Sequence, residues 1–91
     1  MDLELMRSFL AVAEDGAITE AADRIGLSQP ALSRRLQQLE QHFGAPLFVR
    51  SRKGVTLTEV GRLVQSEAVV LVSRYKGLHE RVRAHLQLDA G

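Results

Sequence analysis

The stretch AADRIGLSQPALSRRLQQL, residues 21–39, decides how the rest of this 91-residue chain is read. Leu32, Leu36, Leu39 and Phe43 recur at i, i+4, i+7 and i+11, one face of a 3.6-residue period. With successive residues turned by about 100°, Pro30, Arg34 and Gln37 point away from that face, and Gln29 and Ser33 lie on its flank. The spacing predicts an amphipathic helix whose inner face, from Leu32 to Phe43, belongs to a core. Its outer face carries small or hydrogen-bonding groups of the kind that reach base edges in a major groove. A shorter helix precedes it, Gly26 supplies the turn, and Leu27 fills the angle between the two. Two helices joined this tightly read as a helix-turn-helix.

Outward from this segment toward the N-terminus, Ile18 to Ile25 is the preceding helix, with Ala21, Ala22 and Ile25 facing inward. Small residues at 21 and 22 let a neighbouring helix approach closely. A first helix is expected from about Leu3 to Glu14, with Asp2 as N-cap and Leu5, Phe9, Val12 and Ala13 as its apolar stripe. Asp15-Gly16 ends it. Ser28 is a good N-cap for the third helix, and Pro30 falls in the first turn, where a missing N–H costs nothing.

Toward the C-terminus, Gly44 and Pro46 end the third helix near Phe43. Leu47 to Arg50 and Val55 to Leu57 are short β-prone runs, and Ser51-Arg52-Lys53-Gly54 has the composition of a type I turn. The expectation is a two-stranded hairpin with a cationic tip, which must pack on the helices to persist. From Thr58, its N-cap, the pattern is helical to about Leu88. Val64, Leu71 and Leu78 repeat every seven residues, and Ala68, Tyr75 and Val82 form the companion set of a seam, with His85 a weak closing position. At 1.5 Å per residue this helix would reach roughly 40 Å. A domain this small cannot bury it alone, which implies a second copy, although packing of the same residues on the first helix is the alternative.

Bulk properties narrow the class. Apolar residues make up 45% and charged residues 25%, which suits a folded globular chain with a modest core. There is no cysteine, so neither a disulfide framework nor a thiolate metal site is available. His42, His79 and His85 lack metal-ligand spacing, and no metal or cofactor is expected. The apolar run Ala68 to Val72 is far short of the ~20 residues that span a bilayer. An acidic start, MDLELMRSF, lacks a secretory core and makes the cytoplasm the expected location. The net charge of +1 hides an asymmetry. Residues 1–45 carry four Arg against seven acids, and residues 46–91 carry eight Lys or Arg against four acids. A basic second half suits phosphate contact without by itself arguing for DNA.

These motifs together resemble the LysR-type transcriptional regulators. The resemblance covers essentially the whole chain: LMRSFLAVAE from Leu5, then ITEAADRIGLSQPALSRRLQQLEQHFGAPLFVRSRKGVTLTEVG, with S-Q-P-A-L-S, Q-L-E, G-x-P-L-F-x-R and L-T-x-x-G in order and spacing. It implies a mainly α fold, a winged helix-turn-helix of three helices and a two-stranded β-hairpin wing over residues 1–57. A long linker helix over 58–91 is implied to dimerise, in a bacterial regulator that binds double-stranded DNA at a dyad beginning with T and ending with A. Members normally continue into a small-molecule effector domain of periplasmic-binding-protein type. The sequence stops at Gly91, so it is expected to be an isolated DNA-binding part or a natural truncation, with effector response confined to a longer parent protein. A second departure is Ala17-Ile18, where members often carry Ser-Phe; Ala17 has no side chain with which to cap the second helix.

Site residues follow. Gln29 and Ser33 can each donate and accept, Gln pairs bidentately with adenine, and Arg34 pairs with guanine or reaches a phosphate. Pattern alone also allows a solvated polar face. The resemblance implies base contact by Gln29, Pro30, Ser33 and Arg34, with Pro30 against a thymine methyl. Thr19 and Ser28 lie near helix N-termini, where N–H groups favour phosphate, and capping is compatible with that role. Gln37 and Arg35 complete the expected backbone set, Arg35 being equally suited to a salt bridge with a neighbouring acid. Arg50, Arg52 and Lys53 form the wing, fitted to lie along phosphates or to enter a minor groove, or else simply solvated.

Two other classes compete with DNA binding. A small all-helical enzyme would need a long unbroken first helix and converging Arg and Glu groups, which Gly16, Gly26 and Gly44 argue against. A helical dimerisation or protein-interaction module accounts for residues 64–82 but leaves Gln29 to Arg34 and the cationic hairpin without purpose.

Overall fold

The computed structural model describes residues 2–90, with the backbone alone for Asp89 and Ala90. Helix α1 spans Leu3–Asp15, α2 Ile18–Ile25 and α3 Gln29–Phe43; strands β1, Phe48–Ser51, and β2, Gly54–Leu57, precede α4, Glu59–Ala90. The expected mainly α winged helix-turn-helix with a long last helix is the fold observed.

Local chemistry sets these boundaries. Asp2 accepts the Leu5 amide at 2.9 Å and Ser28 Oγ accepts that of Ala31 at 3.2 Å, so both side chains satisfy amides that a helix start leaves unpaired. Ala17 offers no such bond to α2. The α2–α3 turn runs through Gly26 at φ 74°, a left-handed conformation that any Cβ would penalise.

The core lies where α1, α2 and α3 meet. Phe9, Val12, Ala21, Leu32, Leu39 and Leu47 are buried, and Phe48 brings its ring to 5.1 Å from that of Phe9. The stripe of α1 is wider than periodicity suggests: Met6, Ser8 and Ala11 are buried as well, whereas Ala13 is only half-buried. Phe43 departs from expectation, being 40% exposed. It is the last residue of α3, past the reach of α1, and meets the His42 ring edge-on at 5.0 Å.

The antiparallel hairpin pairs Phe48 with Leu57 and Arg50 with Val55. Its first strand is displaced by one residue from the sequence reading, because Leu47 is drawn into the core instead. Two contacts seat the wing. Val55 N donates to Gly16 O at 2.9 Å, and Gly54, at φ 125°, leaves no room for a Cβ against that same carbonyl.

Helix α4 packs its start on α1 and β2. Val64 and Ala68, assigned from the heptads to an intermolecular seam, are 9% and 1% exposed within the chain and belong to its own core. The packing unit thus runs past residue 57 into the first turns of α4. Past them the helix still borders the start of α1, Leu71 and Tyr75 lining a groove with Asp2, Leu3 and Met6, and the molecule extends over 56 × 25 × 19 Å. There Leu71, Tyr75, Leu78 and Val82 are about half exposed along one stripe. None of the described helices is long and apolar enough to cross a membrane.

Candidate nucleic-acid interface

Helix α3 is anchored by Leu32, Leu36 and Leu39, all buried, and the 3.6-residue period then turns the opposite side outward. Gln29, Pro30, Arg34 and Gln37 are exposed there and Ser33 is half-buried on the flank. Ser28 is exposed; since its oxygen accepts from Ala31, its hydroxyl hydrogen remains available to donate outward. Thr19 is exposed in the first turn of α2, where no side chain caps the helix.

The wing stem meets the same face. Ile18, Leu36, Gln37, Glu40, Phe48, Arg50 and Val55 line a cleft of about 60 Å³, so the first turn of α2, the middle of α3 and both strands converge at Gln37 and Arg50. At the tip, Ser51 Oγ accepts from Lys53 N at 3.3 Å and holds the turn that presents Arg52 and Lys53. Both are exposed, as is Arg50.

Charge pairing divides the arginines of the domain. Arg7 pairs with Glu4 at 3.7 Å, and Arg24 pairs with Asp15 at 3.1 Å and Glu14 at 3.6 Å. Arg24 also reaches the carbonyl of Ala11, tying α2 to the end of α1, and its hydrogen bond to Asp15 raises its pKa further. No ion pair joins Arg34, Arg50, Arg52 or Lys53 to any described residue. Four cations on the α3–wing side therefore have no ion-pair partner among the described residues.

Of the two roles open to Arg35, the structure shows the salt bridge: Nη1 donates to Ser8 Oγ at 3.1 Å and lies 3.9 Å from Glu4. One residue after Arg34, it is turned toward α1, where the buried Ser8 hydroxyl requires a partner. Arg24 and Glu40 were missed. Glu40 accepts the Leu47 amide at 2.7 Å, a long-range bond that no local pattern announces. Gly61 was missed too, although a glycine within a helical pattern signals a close approach; a Cβ there would meet the Leu47 carbonyl.

Comparison with known proteins agrees with this arrangement. Residues 3–62 match the family described as bacterial regulatory helix-turn-helix protein, lysR family. The chain is 39% identical over 90 residues to a probable cat1 operon transcriptional activator of Acinetobacter lwoffii, covering 89% of this chain but 30% of that protein. Among solved structures, the BenM DNA-binding domain in complex with catB site 1 DNA superposes with a TM-score of 0.91 at 32% identity, over 94% of this chain and 97% of that one. The CbnR DNA-binding domain–DNA complex gives 0.89 at 34%, over 94% and 99%. With a family match over most of its length and the fold to go with it, the chain belongs to the lysR family of bacterial regulatory helix-turn-helix proteins.

Proposed function

We propose that this chain binds double-stranded DNA in a sequence-specific manner as a dimer. The observation that carries the reading is the conjunction of an outward α3 face, Gln29, Pro30, Ser33 and Arg34, with three wing cations, Arg50, Arg52 and Lys53, that like Arg34 have no ion-pair partner among the described residues. In this reading α3 enters the major groove and those four residues meet base edges. Thr19, Ser28 and Gln37 contact phosphates, and Arg50, Arg52 and Lys53 follow the backbone or enter the minor groove. The DNA complexes of the related BenM and CbnR domains support it.

Residues 58–91 serve as the linker helix. Its exposed Leu71, Tyr75, Leu78 and Val82 pair with a second copy. Two reading heads then stand about 34 Å apart, one turn of B-DNA, and the site is an interrupted palindrome. A regulator of this type works in the cytoplasm.

Mobility-shift titration on random DNA at low and high salt tests the reading. Binding at low salt that declines linearly in log–log form as salt rises is expected, because each phosphate contact releases counterions. Self-association without DNA binding at low salt would contradict it and leave an interaction module.

A further inference from the structure

Leu47 is held through both of its backbone hydrogen-bonding groups. Its N–H donates to Glu40 Oε2 at 2.7 Å, from the base-facing helix α3. Its carbonyl accepts the Thr58 amide at 3.0 Å, at the threshold of α4. Thr58 Oγ1 donates to the Pro46 carbonyl at 2.8 Å and accepts the Gly61 amide at 3.0 Å, so one hydroxyl fastens α4 to the loop and caps its first turn. Gly61 abuts the Leu47 carbonyl so closely that a Cβ has no space. The Leu47 side chain is 1% exposed and cannot drift. Glu40 also grips the other end of the loop, its backbone carbonyl accepting from Gly44 at 2.8 Å and Ala45 at 3.2 Å.

We propose that Glu40 and Thr58 are positioning residues that act through the backbone of Leu47. They fix the angle between α3 and α4, and thereby the half-site spacing that a dimer accepts. This rests on the two-headed DNA reading above. The physical argument is leverage. At 1.5 Å per residue, the middle of the exposed stripe lies roughly 25 Å from Gly61, so a swing of about 10° displaces it by roughly 4 Å. That is about one base-pair step of the duplex. A junction with both backbone groups of one residue bonded resists such a swing. Burial of Val64 and Ala68 braces the start of α4 as well, and the Leu47 junction adds to that brace.

The test uses the full chain and dyads of its selected half-site with central spacers varied one base pair at a time. Wild type is expected to prefer one spacer over its neighbours by about tenfold. Glu40→Ala and Thr58→Ala, each leaving hydrogen-bonding groups unpaired, are expected to compress that preference to about threefold or less, with affinity for an isolated half-site within about twofold of wild type. Glu40→Gln and Thr58→Ser, which can still make the bonds, should keep the wild-type profile. Should Glu40→Ala lose its helical circular dichroism, the Thr58→Ala and Thr58→Ser pair decides alone. Alanine variants with an unchanged spacer profile, or with half-site and dyad affinities falling together, overturn the positioning role alone. A wild type indifferent to spacing overturns the two-headed reading and this inference with it.

Discussion

Arg34 and Arg35 are adjacent in the chain and opposite in fate. Arg34 lies on the exposed side of α3 with no ionic partner among the described residues, while Arg35 is turned to Ser8 and Glu4 on α1. On the proposed function, Arg34→Ala should lower affinity for a selected site by about 1–3 kcal/mol and relax base preference there, while affinity for random DNA falls less. Equal losses on both, in competition titrations, would remove it from base reading. Lys53→Ala should weaken all sequences alike and reduce the log–log salt slope by about one. The helical angle was legible in the sequence and separated Gln29, Pro30, Arg34 and Gln37 from the core correctly. For Arg35 the salt bridge was legible as one of two alternatives, but its bond to Ser8 was not, because a period read along one helix says nothing of its neighbour's polar needs.

At the scale of elements, the two interior glycines of α4 make a controlled pair. Gly61 faces the Leu47 carbonyl without room for a Cβ, whereas Gly77 has open space around it. Gly77→Ala should therefore stabilise the chain by about 0.5–1 kcal/mol, the ordinary gain in helix propensity. Gly61→Ala should destabilise it despite the same gain, because the first turn of α4 must back away from the loop. Denaturant midpoints of the two variants moving in the same direction would contradict this account. Caps and stops were readable: Asp2, Ser28, Thr58 and the glycine after each short helix delimit the elements as expected. Long-range closure was not readable. Phe43 continues the α3 stripe by periodicity yet outruns the helix it would pack on, and β1 slips by one residue because Leu47 is claimed by the core. Both outcomes turn on where neighbouring elements end in space.

For the whole molecule, the seven-residue repeat along α4 has two uses. Its first members, Val64 and Ala68, close the chain's own core, and its later members, Leu71, Leu78 and Val82, are about half exposed. A repeat read from sequence cannot show where along its length burial within the chain ends. On the dimer reading, Leu78→Glu with Val82→Glu should yield monomers in sedimentation at an unchanged helical content. Affinity for a dyad should drop by about 10²-fold or more, since the second head no longer binds at high effective concentration. Selection of bound sequences from a random duplex pool tests the central claim most directly. The account predicts enrichment of an interrupted palindrome whose half-sites are centred about one helical turn, or a whole number of turns, apart. A pool that binds but enriches no sequence would contradict it.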